Sequence, residues 1–289
     1  MNLFDKLVEQ ALINKKDCAT LRIVVEKELF HQDILRILSQ KNLLKNLTFI
    51  GGTALRSCYG SHRLSEDLDF TGGVNFSRES LNELKDLLVD EIAKKYGFEV
   101  MITEPAQDKT NVSTWRVRIQ TRPAQKNLPS QHIHLDICSI PSYEKKPMLL
   151  LNPYGIDMGT TGLIIQTESK SEIYIDKLIA FALRPKLKFR DLWDMAWLHQ
   201  QGTIPSYSLL RLKLQDHQST PSTFKTMLEE RILLVSKEKQ LEIDFTKEMM
   251  RFLPKDIMDS ILHQEGYWAF LTELLKEMVV KAIAEIEKD

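Results

Sequence analysis

Asp67 and Asp69 stand one residue apart in the stretch RLSEDLDF (63–70). On an extended strand this spacing sends Ser65, Asp67 and Asp69 to one face and Glu66, Leu68 and Phe70 to the other. Two carboxylates side by side repel by about 4 kcal/mol at ~4 Å when the effective dielectric is about 20. Such a pair needs a compensating cation, a raised pKa or full solvation. Mg²⁺, with Mn²⁺ as an alternative, meets the need, because a hard divalent ion takes one or two carboxylates and completes its shell with water and phosphate oxygens. Asp136, on the polar side of QHIHLDICSI (131–140), supplies a third carboxylate. Three acids around a pair of such ions suit an in-line displacement at phosphorus, one ion activating the attacker and the other steadying the leaving group. The competing reading is a hydrated strand end with scattered acids.

The elements that must position these acids follow from hydrophobic pattern and turn residues. LTFI reads as a short strand stopped by Gly51-Gly52, and TALRSCYGS as a helix of a turn or two. Gly51, Gly52 and Thr53 thus lie between strand and helix, where backbone N–H groups and a hydroxyl could meet a phosphate. Neither GxGxxG nor GxxxxGK[ST] is present, so this signal gains weight only from its order before the acidic strand. Arg63 and Ser65 flank that strand and read equally as phosphate contacts or ordinary surface. Upstream, residues 1–46 read as two helices, the second near Leu21–Leu38. Downstream, SRESLNELKDLLVDEIAKKYG reads as an amphipathic helix, capped by Ser77 and closed by Gly97. NVSTWRVRIQT (111–121) and QHIHLDICSI alternate apolar and polar residues as strands do. From about residue 168 only helices are expected. The chain divides on this reading into an α/β domain, residues 1–165, and a helical domain, residues 166–289, with no internal repeat.

The helix SEIYIDKLIAFALR is apolar nearly all round and carries Lys177, Ala180 and Arg184 along one narrow stripe. A cation in so apolar a helix needs a partner. A nucleotide phosphate would serve, and so would Asp191, through a structural Lys–Asp pair between helices. Asp191 and Asp194 neighbour one another near a helix start, where capping and the helix dipole explain one of them without chemistry. His132, His134 and Asp136 on one strand face could suggest zinc, but no further His or Cys cluster completes a site. Trp193 and Trp197 read as core.

The 289 residues are 43% hydrophobic and 27% charged, with a net charge of −1, enough for one large or two medium domains. Near-neutrality excludes non-specific coating of nucleic acid by the whole surface. It leaves room for a local basic run such as RPKLKFR (184–190). No apolar run reaches membrane-spanning length and MNLFDKLVEQ lacks a signal-peptide plan, so a soluble, cytoplasmic protein is expected. Three cysteines without a CxxC read as reduced thiols.

GGTALRSCYGSHRLSEDLDF resembles the signature of AbiEii-type nucleotidyltransferases, the toxins of type IV toxin–antitoxin and abortive-infection systems. The strand LDI around Asp136 is similar to that family's second acidic motif. EIYIDKLIAFALRPKLKFRDLWDM is similar to its lysine helix and Arg-Asp-x-x-Asp helix, bringing in Lys177, Arg190, Asp191 and Asp194. The similarity covers roughly residues 45–200. Gly-Gly-Thr departs from the Gly-Ser of nucleotidyltransferases in general, but the AbiEii branch itself has it. The resemblance implies an α+β protein: a polymerase β-like mixed sheet with flanking helices, then a helical domain. It implies Mg²⁺-dependent transfer of NMP from an NTP to an acceptor hydroxyl, with the 3′ end of tRNA as the acceptor in some members. Asp67, Asp69 and Asp136 would bind metal, Asp136 also activating the acceptor. Gly51, Gly52, Thr53 and Lys177 would hold the triphosphate, with Arg63, Ser65 and Asp194 as further nucleotide contacts, and Lys177 and Asp191 would join the three acids as catalytic residues. A cognate antitoxin is the implied partner. A protein or small-molecule acceptor, or a nucleotide-binding protein without catalysis, are the alternatives.

Overall fold

The computed structural model describes residues 2–106, 111–122 and 130–288. Its residues cluster into two units, Met1–Glu168 and Ser169–Asp289.

The first unit is built on a seven-stranded mixed sheet. In chain order its elements are α1 (Leu3–Asn14), α2 (Arg22–Gln40), β1 (Thr48–Ile50), α3 (Gly51–Tyr59), β2 (Leu68–Thr71), α4 (Leu84–Tyr96), β3 (Glu99–Thr103), β4 (Val112–Gln120), β5 (Gln131–Cys138), β6 (Lys145–Leu149) and β7 (Ile164–Glu168). The strands lie in the order β3-β4-β5-β2-β1-β7-β6. β2 runs parallel to β5 and β1 parallel to β7, and the other neighbours are antiparallel. Alternation works as expected in β4 and β5: Trp115, Val117, Ile119, Ile133, Leu135 and Ile137 are buried. Phe4 stacks on Phe30 at 4.3 Å, with Tyr96 and Phe98 edge-on around them, which ties α1 and α2 to α4.

Three strands, β3, β6 and β7, were not expected from the pattern. Each spans five residues, and β6 (KKPML) is an edge strand whose Lys-Lys-Pro guards its open side at the expense of strand character. Ser77 does not cap α4. Its hydroxyl goes to the side chain of Glu79, a 3₁₀ turn occupies Arg78–Leu81, and α4 starts at Leu84. Gly97 does close α4, in the left-handed region.

α2 is buried on nearly every side, and its interior acids are matched by cations and donors. Glu26 meets Arg22, Arg122 and Gln131, while Asp33 meets Arg36, Lys95 and Tyr96. His31 is also interior. Its Nε2 lies 3.0 Å from the Glu66 carbonyl, which makes it the N–H donor, and its Nδ1 has no partner. Burial holds the imidazole pKa below its ordinary 6.5. Below pH 6.5 the unfolded chain therefore takes up a proton that the folded chain refuses, and stability falls as pH drops toward the folded value. The melting midpoint of His31→Gln, relative to wild type, is expected to rise between pH 7 and pH 5.5. Parallel midpoint curves for the two proteins would show that His31 is not the source.

The second unit is helical: α5 (Lys170–Leu183), α6 (Phe189–Gln200), α7 (Leu210–Asp216), α8 (Pro221–Lys237), α9 (Lys239–Met249), a one-turn α10 (Lys255–Ile257) and α11 (Tyr267–Ile286). Ser169 caps α5 by accepting the Glu172 N–H at 3.0 Å. Phe245 of α9 lies against Phe189, Tyr267 and Trp268, and Trp193 and Trp197 are core residues. α5 sends two polar stripes to two neighbours. Glu172 and Asp176 face Lys213 of α7, while Lys177 and Arg184 face α6.

Candidate active site

Gly51 follows β1 directly and has φ +74°, a conformation side chains resist. A Cβ there would come within 2.8 Å of Asp69 Oδ2. Glycine is thus needed both for the turn and for the approach of the carboxylate. The residue before α3 is Ile50, which offers no side-chain cap, so α3 starts beside Asp69 with no acceptor from its own N-cap side chain. The register sets Asp69 opposite Ile50 on one side and opposite Asp136 on the parallel strand β5 on the other. Neighbouring strands lie about 4.8 Å apart, so Asp69 and Asp136 form a paired platform. Asp136 Oδ1 is buried and has no hydrogen-bond partner.

Asp67 sits one residue before β2. Its Oδ1 accepts the His134 backbone N–H at 3.1 Å and lies 3.4 Å from His134 Nδ1. Among the described residues no three Asp, Glu, His or Cys side chains are grouped so as to hold a metal ion as they stand. What stands ready is the Asp69–Asp136 pair, with Asp67 turned to His134. An all-oxygen pair with an unpartnered buried oxygen fits Mg²⁺ or Mn²⁺, which take one or two carboxylates and keep water and phosphate ligands.

Three residues that the sequence suggested for phosphate are turned inward. Thr53 is fully buried; its hydroxyl meets Ser65 Oγ at 2.5 Å and donates to the Asp67 carbonyl. Ser65 is buried, and so is Arg63, whose guanidinium donates to the Leu64 carbonyl. The task left to these side chains is to fix the segment that carries Asp67. Gly52 is buried inside α3.

A clamp from α2 completes that task, and the sequence reading missed it. Glu28 accepts the Ser65 backbone N–H at 2.9 Å, the Tyr154 hydroxyl at 2.6 Å and Arg56 Nε at 3.1 Å. Lys27 pairs with the Glu66 side chain at 2.8 Å, next to the His31 bond to the Glu66 carbonyl. The available signal was an acid and a histidine, four and seven residues past Val24, inside an otherwise apolar-periodic helix.

In the second unit Lys177 Nζ lies 2.6 Å from Asp191 Oδ1 and 2.9 Å from Asp194 Oδ2. Arg184 takes the other oxygen of Asp191. Asp194 is fully buried. Two cations and two anions therefore balance one another between α5 and α6, the pairing that served as the alternative to a phosphate. The basic run 184–190 is partly spent as well: Arg190 lies over the Phe252 ring at 4.8 Å and 3.6 Å from Glu248. Lys186 and Lys188 are exposed.

Against known proteins, the family model described as nucleotidyl transferase AbiEii toxin, type IV TA system, matches residues 33–277. None of the curated proteins matches the chain. Among solved structures, MenT4, a nucleotidyltransferase toxin from Mycobacterium tuberculosis H37Rv, is similar with a TM-score of 0.51 and 17% identity, over 100% of both chains. A putative nucleotidyltransferase from H. pylori is 20% identical over 90% of this chain and 98% of that one, with a TM-score of 0.49. At such identity the likeness to MenT4 speaks for the fold: a mixed sheet with helices around and after it. The family match runs through the glycine turn, all three acids and the lysine helix, and on it the chain belongs to the AbiEii nucleotidyltransferase toxins of type IV toxin–antitoxin systems.

Proposed function

We propose that the chain transfers a nucleoside monophosphate from an NTP to the 3′-terminal hydroxyl of a tRNA, releasing pyrophosphate and halting growth. The observation that carries this reading is the Asp69–Asp136 pair beside an uncapped helix start that only glycine can open. Asp69 and Asp136, with Asp67 released from His134, would hold Mg²⁺ or Mn²⁺. When bound, that ion neutralises phosphate charge and polarises phosphate oxygens. The N–H groups that start α3 bind phosphate oxygens. Asp136, with one carboxylate oxygen free of hydrogen-bond partners, would take the proton of the attacking hydroxyl. The α2 clamp holds Asp67 in register, so that binding energy need not be spent ordering it. Lys177, Asp191 and Asp194 enter through their motif; as nucleotide ligands they would have to exchange their mutual contacts for phosphate. Family membership implies an antitoxin partner. Among the described residues no helix is long and apolar enough to cross a membrane.

The test is transfer of α-³²P from each of the four NTPs to purified total tRNA with Mg²⁺, wild type beside Asp69→Ala. Label on tRNA that the variant cannot add supports the reading. Label found only on lysate protein or on an aminoglycoside would replace the acceptor, and NTP binding without transfer to anything would leave a nucleotide-binding protein. In the same assay Gly51→Ala is expected to lose about tenfold or more, since a methyl at φ +74° both strains the turn and displaces the Asp69 carboxylate. Activity within twofold of wild type would show that Asp69 can work from another position.

A further inference from the structure

The motif His132-x-His134-x-Asp136 lies on the polar face of β5, with His134 against Asp67. The strand register gives the rest of it neighbours. On the open face of the sheet, one row reads Asp69, Asp136, Thr114 across β2, β5 and β4. The next reads His134, Arg116, Thr103 across β5, β4 and β3, and the one after that His132, Arg118, Met101. Arg116, Arg118 and His132 are exposed, and Met101 is 54% exposed. Successive rows are about 6.7 Å apart. Among the described residues of these three strands, the acids on this face are Asp136 at one end and Glu99 at the other.

We infer that this face of β3, β4 and β5 binds the phosphodiester backbone of an RNA acceptor and leads its end to Asp136. The inference rests on the nucleotide-transfer reading for the direction of the strand, but not for binding itself. An arginine stands directly opposite a histidine twice, and the acid nearby, Asp67, lies against His134 and not against either arginine. For a merely solvated sheet, where opposite charges facing one another are the stabilising arrangement, this is unfavourable. The two guanidiniums, a row apart, suit successive phosphates, which Arg recognises with paired N–H donors. Arg118 is already oriented by a 3.1 Å bond from Nε to Ser130 Oγ. Among its described residues the face has two exposed large apolar side chains, Met101 and Val112, at separate places and no aromatic anchor, which disfavours a protein partner of ordinary interface composition. It is also continuous with the acidic pair, so a strand lying on it ends at the candidate chemistry.

The experiment measures fluorescence anisotropy of a short 5′-fluorescein-labelled single-stranded RNA titrated with the full chain at several salt concentrations. Arg116→Ser/Arg118→Ser should bind at least about tenfold more weakly, with a log–log salt slope less negative by about 1.4, the share of two phosphate contacts. Lys145→Ser, on β6, should leave both unchanged. Binding of a fluorescent ATP analogue should be the same in all three proteins. Wild-type affinity and slope in the double variant would overturn the proposal, as would a polyglutamate peptide that displaces the RNA at equal charge concentration, the sign of an acidic protein partner. A wild-type chain that binds RNA through these arginines yet transfers no nucleotide would keep this surface and remove the transferase reading.

Discussion

Asp136→Asn is expected to lower nucleotide transfer by about 10²–10³-fold while raising the melting midpoint of the protein. The carboxylate has one buried oxygen without a partner and a second carboxylate, Asp69, beside it on the parallel strand. In a protein evolved for stability alone, that pair would not persist. Asparagine keeps the shape and removes one charge, relieving a cross-strand repulsion of roughly 0.2–1 kcal/mol. For a unit of this size 1 kcal/mol corresponds to about 2–4 °C. On the proposed reading the same change would remove the acceptor of the hydroxyl proton and half of the carboxylate pair that would hold a divalent ion. Activity and stability should therefore move in opposite directions. A variant that loses activity and melts lower would mean that Asp136 is structural; one that keeps activity within a few-fold would remove it from the chemistry. Transfer assays and thermal unfolding of the same preparation decide between these.

Lys213→Met should be the most destabilising single change in the helical unit, at about 3–5 kcal/mol. Lys213 Nζ lies 2.7 Å from Glu172 Oε1 and 2.6 Å from Asp176 Oδ1, the latter a charge contact rather than an aligned hydrogen bond. Glu172 is fully buried and Lys213 nearly so. Methionine fills the volume but leaves two carboxylates without their cation. Adding Glu172→Gln and Asp176→Asn to Lys213→Met should recover most of the loss, because the cost lies in the uncompensated charge and not in the missing pair. Tryptophan fluorescence suits the measurement, since Trp193, Trp197 and Trp268 belong to this unit and only Trp115 to the other. Equal denaturation midpoints for wild type and Lys213→Met would sink the argument.

The chain reveals its chemistry more readily than its supports. Gly51, Asp69 and Asp136 could be picked out because glycine at a strand–helix junction and acids of one parity are local patterns, and β2 and β5 then align them. The resemblance, read from residues 45–200, extended the same trio to an α+β fold with a helical second part, and the architecture agrees. What escaped was set by distant partners. Thr53 looked like a ligand contact, but residues 65–67, twelve or more positions on, claim its hydroxyl. For Lys177 the sequence offered a phosphate or Asp191 of the next helix; what it did not show is that Asp194 joins Asp191 on the same ammonium. β3, β6 and β7 escaped because five residues with lysine, proline or glutamate among them carry too little alternation to stand out. Glu28 escaped because its place on the apolar face of α2 shows that it is interior but not that Ser65, Tyr154 and Arg56 are what it meets there.

The belt of partners around α2 also has a kinetic consequence. Glu26 awaits Gln131, Glu28 awaits Tyr154, and Gln32 awaits Thr160, sequence separations of 105, 126 and 128 residues. On the ribosome α2 is made before these partners, and its interior acids and amides find them only when residues 131 to 160 have emerged. Loops that long make folding slow and topology-limited. The helix that steadies Asp67 is thus synthesised well before its partners and is completed only with them, so the support of Asp67 is tied to completion of the sheet.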